Sequence, residues 1–243
     1  MKNNLTAIIF GLAIVVAAAL LGNAYMNRNK SQRTIAVTGL GKSDFTSDLI
    51  VWEARFIRNN TNLQQAYKDL ANDKNIVTTY LTSKGVDVAN IVFSAVNTSE
   101  NNQPNYGPNG NYIGTTFTGY NLSQNVEIKS TKVTETEKIS REITELLNRG
   151  VQLYSEAPRY YYTKIEDLKV EMISRATENA RLRAEKIAKN SGSKLGELVT
   201  ARMGIFQITG QNSGEDYSWG GAYNTSSKEK TTSITMKLTY TVD

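Results

Sequence analysis

The feature that most constrains the fold of this chain is an uncharged, apolar stretch at its N-terminus. No charged residue lies between Lys2 and Arg28, and residues 7–22 read AIIFGLAIVVAAALLG. A bilayer core of about 30 Å requires roughly 20 helical residues, so the stretch is long enough to span a membrane. Tyr25 suits the interfacial end of such a helix. The pattern predicts a transmembrane helix whose apolar surface is formed by Ile8, Ile9, Phe10, Leu12, Ile14, Val15, Val16, Leu20 and Leu21.

A secretory signal peptide is the alternative interpretation of the same stretch. Lys2 precedes the apolar run, and the small residues at 22–24 offer a cleavage site before Tyr25. Positive charges flank both ends of the run, so the flanking charge leaves both topologies open. We expect a retained anchor over residues 1–27, with the signal peptide as the open alternative.

The remaining sequence has the composition of a folded domain. The chain has 243 residues, of which 40% are hydrophobic and 21% charged, enough to bury a sizeable core. We expect a short juxtamembrane linker over residues 28–33 and one α/β domain over 34–243. The chain contains no Cys and no His, which excludes thiol nucleophiles, disulfides, Cys or His metal sites and His acid–base catalysis.

Alternating strand-like and helical patterns predict an α+β fold. Capping patterns predict one helix from Thr61 to Gly85 and another from Thr134 to Gly150, and apolar spacing predicts a third over 163–190. Gly39-Leu40-Gly41 predicts a turn after the first strand. The order is ββαββαβαββ, with strands at residues 34–38, 48–57, 90–96, 112–129, 151–162, 198–209 and 231–242. The third helix is expected to pack on the protein's own sheet through Ala176, Ala180, Ala184 and Ala188.

Two polar segments rich in Gly and Asn are predicted to be exposed loops that carry aromatic side chains. They cover residues 98–111 and 210–230. Loops of this composition have no core of their own, so their aromatic rings are expected to contact a neighbouring subunit, a ligand or the parent domain. The candidate contact residues are Tyr106, Tyr112, Tyr217, Trp219 and Tyr223.

Three patterns resemble chemical sites, and each has a simpler structural explanation. Residues 36–43 match a relaxed phosphate loop, but a strand rather than a helix follows them. The carboxylates Asp44, Asp48 and Glu53 are close in sequence, yet strand alternation separates the last two onto opposite faces. The basic residues of the third helix alternate with acids, as on a solvated face. We therefore expect no catalytic residue, no metal, no cofactor and no nucleic-acid partner.

Several short motifs occur in an order that is specific in combination. They are IAVTGLG at 35–41, Gly119-Tyr120, QNVEI at 124–128, ATENARLRAEKIA at 176–188 and LGEL at 195–198. In this order they resemble the SIMPL-domain proteins of bacterial envelopes, which include oxidative-stress defence proteins and periplasmic immunogenic proteins. The resemblance covers residues 33–243.

The resemblance implies an envelope domain without an established catalytic site, in a family whose characterised members form hollow rings or barrels of many subunits. We therefore expect a non-enzymatic protein with one helix in the bacterial inner membrane and its soluble domain in the periplasm. It is expected to assemble with itself into a closed ring, barrel or cage-like homo-oligomer, with a link to envelope or oxidative stress. The alternative is an envelope binding module that recognises a peptide, a glycan or an unidentified envelope protein through the loop at 210–230.

Overall fold

The computed structural model describes residues 2–28, 33–216 and 218–243, and the class within these ranges is α+β, as predicted. The helices are α1 (Lys2–Arg28), α2 (Leu63–Ser83), α3 (Val133–Glu142) and α4 (Ile165–Asn190). The strands are β1 (Thr34–Thr46), β2 (Leu49–Asn60), β3 (Ile91–Phe93), β4 (Asn97–Tyr106), β5 (Tyr112–Ser130), β6 (Gln152–Ser155), β7 (Arg159–Tyr161), β8 (Leu195–Met203), β9 (Gln207–Gly210) and β10 (Glu229–Val242).

The strands form two sheets. The larger has the order β3-β5-β2-β6, with β4 pairing with β5 and β7 pairing with β2. The smaller has the order β1-β10-β8, with β9 pairing with β10. The chain divides into two compact units, one formed by residues 1–40, 176–204 and 235–243 and the other by 41–175 and 205–234.

Helix α1 covers the apolar stretch that the sequence predicts to be helical. Its segment Ile9–Met26 is long and apolar enough to cross a membrane, and none of that segment is buried against protein. A membrane anchor and a signal sequence share these properties. Ile8 lies in the helix, but its side chain is outside the described part of the structure. The other eight predicted anchor residues are exposed.

The core of the second unit lies between α2, α3 and one face of the β2–β5 pair. These two strands pair antiparallel from Ile50 opposite Ser130 to Asn60 opposite Tyr120. Alternate residues of each strand point to the same face, so every second side chain enters the core. The largest core side chains include Trp52, Phe56, Leu70, Leu81, Leu122, Ile128, Ile143 and Leu146, each at most 1% exposed.

One ion pair lies at the edge of this core. Asp73 of α2 is fully buried and accepts hydrogen bonds from Arg58 Nε at 2.5 Å and Arg58 Nη2 at 2.6 Å. The same Nη2 donates to the carbonyl oxygen of Gly150 at 2.8 Å. The bidentate contact raises the pKa of the Arg58 guanidinium and ties α2 to β2.

Gly39 allows a close contact between a strand and a helix in the first unit. Strand β1 continues through Gly39-Leu40-Gly41 and ends at Thr46, so the predicted turn at 39–41 is wrong. A Cβ atom at Gly39 would lie 2.0 Å from the carbonyl oxygen of Ala176 and 2.7 Å from the Cβ of Ala180. The four alanines predicted to pack on the sheet are at most 1% exposed. Small residues on both elements therefore permit the contact.

Two predicted helix starts are also wrong. Asn62, not Thr61, caps α2, and its side chain accepts a hydrogen bond from the backbone N–H of Gln65 at 3.0 Å. Helix α3 begins after Lys132, which makes no side-chain capping bond, so Thr134 is not a cap. Several residue types can occupy a cap, and the choice depends on where tertiary packing starts the helix.

The predicted loop at 98–111 is mostly a strand. Strand β4 pairs with β5 from Asn97 opposite Ser123 to Tyr106 opposite Tyr112, and only residues 107–111 form the connection. The long β5 supplies hydrogen-bonding partners that override the loop-favouring composition. Two other predicted strands are each divided in two, as β6 with β7 and as β8 with β9.

Candidate interaction surface

The three carboxylates considered as a site each have a separate partner. Asp44 accepts hydrogen bonds from a Thr and a Gln side chain, which lower the pKa of its carboxyl. Asp48 accepts from the backbone N–H and the hydroxyl of Thr163, both at 2.7 Å. Glu53 forms an ion pair with Arg159. The structure does not bring them together, and no group of three metal-ligating side chains occurs among the described residues.

The other two patterns also have structural explanations. Residues 36–43 are extended backbone within β1, so they do not form a phosphate cradle at a helix N-terminus. On α4, Arg175 pairs with Glu171 at 2.6 Å, and Arg181 pairs with Glu185 at 2.9 Å. Both pairs join side chains four residues apart, as expected on a solvated helix face.

A groove of about 600 Å³ lies beside the C-terminal end of α2, the end of β5 and the start of α3. Its rim mixes cations such as Lys84 and Lys129 with carboxylates such as Glu127 and Glu135. Lys84 is paired with Glu142, which is 3.0 Å away, and this contact raises the pKa of the lysine. The groove therefore has no single sign of charge with which to attract a ligand.

The loop at 211–228 is fixed from inside by a buried amide. Gln207 in β9 is 7% exposed, and its Oε1 accepts hydrogen bonds from the backbone N–H groups of Ser218 at 3.2 Å and Ala222 at 2.7 Å. Its Nε2 donates to the carbonyl oxygen of Ser218 at 2.8 Å. The Gln207 side chain thus fixes the backbone at Ser218 and Ala222 relative to β9.

A second polar group fixes the two ends of the loop. Glu215 accepts hydrogen bonds from the backbone N–H of Gly210 at 2.9 Å and from the side-chain amide of Asn224. Lys230 is 2% exposed, and its Nζ donates to Asn224 Oδ1 at 3.3 Å and to the carbonyl oxygen of Ser227. Burial lowers the pKa of Lys230 to about 8, although the charge of Glu215 acts in the opposite direction.

This loop presents an uncovered indole. Trp219 is 96% exposed, and Tyr223 in the same loop is 51% exposed. Tyr217 lies outside the described residues. Large aromatic side chains on fixed loops are frequent anchors of protein interfaces, because their conformational cost is low.

The β4–β5 hairpin presents a second group of exposed aromatic side chains. Tyr106 and Tyr112 are 63% and 62% exposed, and their ring centroids are 6.3 Å apart. Ile113 and Phe117 are also exposed on this hairpin, and sequence reasoning missed both. Both residues lie in the strand predicted over 112–129 and not in the predicted loop at 98–111. The prediction selected aromatic residues of the loops and therefore did not include them.

The comparison with protein families covers the whole region from β1 onward. Residues 35–243 match the SIMPL family, described as a protein of unknown function (DUF541). The comparison with curated proteins found no match. Because the matched region is most of its length, the chain belongs to the SIMPL family.

Proposed function

We propose that this protein is a non-enzymatic component of the bacterial envelope that assembles with itself into a closed ring, barrel or cage. In this proposal α1 is retained in the inner membrane and the folded domain lies in the periplasm, with a role in envelope or oxidative stress. The observation that carries self-assembly is the exposure of Trp219 on a loop that the buried side chains of Gln207 and Lys230 hold in place.

The energetics favour a protein contact for this indole. A Trp side chain has up to about 250 Å² of surface, and burial is worth about 25 cal/mol per Å² of apolar surface, so covering it contributes at most about 6 kcal/mol. The hydrogen bonds of Gln207 and Glu215 order the loop before any contact forms. Binding then requires little further loss of conformational entropy. Closed symmetry is the usual outcome when identical chains supply both sides of the contact.

Light scattering on the full chain in mild detergent tests the assembly directly. We expect a single species with a mass of several 26.9 kDa chains after correction for detergent. A uniform monomer at micromolar concentration would contradict the proposal.

Retention of α1 requires a separate test. We expect the protein recovered from the membrane fraction to have the intact mass of 26.9 kDa. A chain that begins at Arg33 should lose membrane association and keep its oligomeric state. Recovery of a form shortened near residue 24 would support the signal-peptide alternative.

The non-enzymatic part of the proposal rests on the separate partners of Asp44, Asp48 and Glu53. Elemental analysis of the purified protein and hydrolysis assays over ester, peptide and glycoside panels test it. We expect no bound metal and no turnover, and catalysis that disappears on mutation of one of these carboxylates would overturn this part.

The second candidate is an envelope binding module that uses the same loop. Trp219→Ala distinguishes the two functions, with Tyr67→Ala on α2 as the control because Tyr67 is also exposed, at 58%. Self-assembly predicts that Trp219→Ala lowers the mass of the assembly and Tyr67→Ala does not. The binding module predicts an unchanged mass and reduced sedimentation with purified cell-wall sacculi.

A further inference from the structure

The β4–β5 hairpin extends beyond the core that supports the rest of its sheet. We use the name arm for residues 97–118, which comprise β4, the connection and the first seven residues of β5. No residue of the arm is buried. Strand β2 pairs with β5 only from Tyr120 onward, and the residue of β4 opposite Tyr120 is Glu100. Beyond Glu100 the arm therefore has no third strand and no covering layer among the described residues.

The pairing of the two strands gives the arm two chemically different faces. Asn102 lies opposite Phe117, Pro104 opposite Thr115, and Tyr106 opposite Tyr112. Asn102, Pro104 and Tyr106 alternate along β4 and so share a face, and each residue directly opposite them on β5 lies on that same face despite the register shift before Tyr106. We call this surface the aromatic face. The ring contacts agree with this assignment, since Phe117 also lies against Tyr120, with ring centroids 5.1 Å apart.

The opposite surface, which we call the amide face, carries Gln103, Asn105 and Thr116. Asn105 Nδ2 donates a hydrogen bond to Thr116 Oγ1 at 2.8 Å. These side chains satisfy one another or water. The polar side chains of the amide face are therefore stable in water, whereas the aromatic face exposes apolar surface that a partner would bury.

Tyr120 links the aromatic face to the protein interior. Its side chain is half-buried and packs against the hydrophobic core of the second unit. Phe117 is the next aromatic residue toward the end of the arm and is 45% exposed. Tyr112, nearer that end, is 62% exposed. The apolar surface thus continues from the core onto the arm, and the exposed fraction of its aromatic side chains increases toward the end of the arm.

The arm is also depleted of charge. No charged residue lies between Glu100 and Glu127, whereas a run of this length at the chain average of 21% would contain about five. Aromatic enrichment with loss of charge is the composition of interface cores. Two copies of a chain with a net charge of +5 repel each other, and an arm whose one charged residue is Glu100 does not add to that repulsion.

The edges of the arm are poor sites for adding another strand. Pro104 lacks an N–H group on β4. The pairing register shifts between Asn101 and Asn102 and again between Asn105 and Tyr106, which marks irregular ladder geometry. Irregular pairing and proline both discourage edge-to-edge association. A partner therefore fits the aromatic face better than either edge.

On the basis of the proposed self-assembly, we propose that the aromatic face of each arm packs on a second copy of the chain and forms the centre of the subunit interface. The exposed fractions of Tyr106, Tyr112 and Phe117 leave roughly 250–430 Å² of aromatic surface per copy. A standard interface takes ~800 Å² from each partner. The aromatic face supplies a third to a half of that area, as expected for an interface centre.

Two matched charge substitutions in the full chain test this assignment. Phe117→Asp places a carboxylate on the aromatic face, and Gln103→Asp places the same group on the amide face of the same arm. We expect Phe117→Asp to raise the dissociation constant of the assembly at least 100-fold, and Gln103→Asp to change it by less than about threefold. Light scattering over a concentration series in mild detergent measures both, and thermal unfolding checks that each variant remains folded.

A labelling experiment provides a second measurement that does not depend on weakening the assembly. The chain has no Cys, so Thr115→Cys on the aromatic face and Thr116→Cys on the amide face each accept one environment-sensitive fluorophore. We expect the emission maximum of the fluorophore at 115 to move to shorter wavelength on assembly, because the partner excludes water there. The emission maximum of the fluorophore at 116 should not change, because that position remains exposed to water.

The outcomes separate this inference from the proposed function. If the wild-type chain is monomeric, self-assembly fails and the inference fails with it. If the wild type is oligomeric while Phe117→Asp assembles normally and the label at 115 remains in water, the aromatic face is not the interface and self-assembly stands.

Discussion

The two parts of β5 show how one strand can contribute in two different ways. Residues 120–130 lie beside β2 and beneath helices, and Leu122, Val126 and Ile128 among them are at most 1% exposed. Residues 112–118 continue the same antiparallel ladder with β4, and none of them is buried. Backbone hydrogen bonds are thus sufficient to set the path of the strand, whereas stability requires a covering layer. Substitutions in the inner part should affect folding, and substitutions in the arm should affect association.

The largest expected effect is a charge placed in the inner part. Val126→Asp would bury a carboxylate without a partner, and we expect the free energy of unfolding to fall by about 4 kcal/mol or more. Asn125→Asp adds the same charge on the exposed side of the same strand and should change it by about 0.5 kcal/mol. Urea unfolding measures both. Equal effects would show that the inner part does not depend on its covering layer.

The ion pair between Asp73 of α2 and Arg58 of β2 should give the next largest effect. Asp73→Ala leaves the partly exposed Arg58 guanidinium without its carboxylate, and we expect a loss of about 3 kcal/mol in the free energy of unfolding. Asp69→Ala, one turn earlier on the same helix, removes a hydrogen bond with Gln65 and a weaker charge interaction with Arg58, and should cost about 1 kcal/mol or less. Denaturant unfolding of the two variants is the measurement. A small effect at Asp73 would mean that the helix does not need this contact to cover β2.

The loop at 211–228 combines both situations, because its outer side is uncovered while the buried side chains of Gln207 and Lys230 fix its inner side. The pKa of Lys230 is about 8 in the folded protein, below its ordinary value of 10.5. Between these values the unfolded chain binds more protons, so the free energy of unfolding should rise with pH, by up to about 3 kcal/mol. Lys230→Met should lose this rise. Parallel curves for wild type and variant from pH 8 to 10.5 would contradict the assignment.

The smallest expected effect on folding is removal of the end of the arm. Replacing residues 103–116 with Asn-Gly joins Asn102 to Phe117, which already lie opposite each other, through a short hairpin turn. We expect the free energy of unfolding of the dissociated chain to change by less than about 1 kcal/mol, because the arm buries no residue in its own chain. Assembly should be lost. Unfolding of the shortened chain at 25 °C would show that the arm belongs to the folding unit.

Local signals in the sequence were sufficient for some elements. The long helix over 163–190 follows from its apolar stripe and begins within two residues of the predicted start. The glycines predicted to end two helices, Gly85 and Gly150, have left-handed backbone with φ of 86° and 78°. Each of these signals depends only on residues within a few turns of chain.

Other elements depend on partners distant in sequence. Residues 98–106 have the composition of a loop, and they form a strand because β5 supplies their hydrogen-bonding partners. Gly39 looks like a turn residue, yet its role is set by Ala176, far along the chain. Phe117 was missed as a contact candidate for the same reason, since its face is defined only by the register with β4.

Pro104 and the shifts in the β4–β5 register also bear on how the protein avoids insolubility. An exposed ribbon rich in Asn, Gln and Thr has side chains of the kind that stack into cross-β fibrils. Such fibrils grow by adding flat strands at an open edge, with no limit on their number. The missing N–H of Pro104 and the irregular ladder interrupt that template, whereas the aromatic face remains free to pack. If the chain self-assembles as proposed, the arm can therefore remain exposed before assembly without nucleating aggregates.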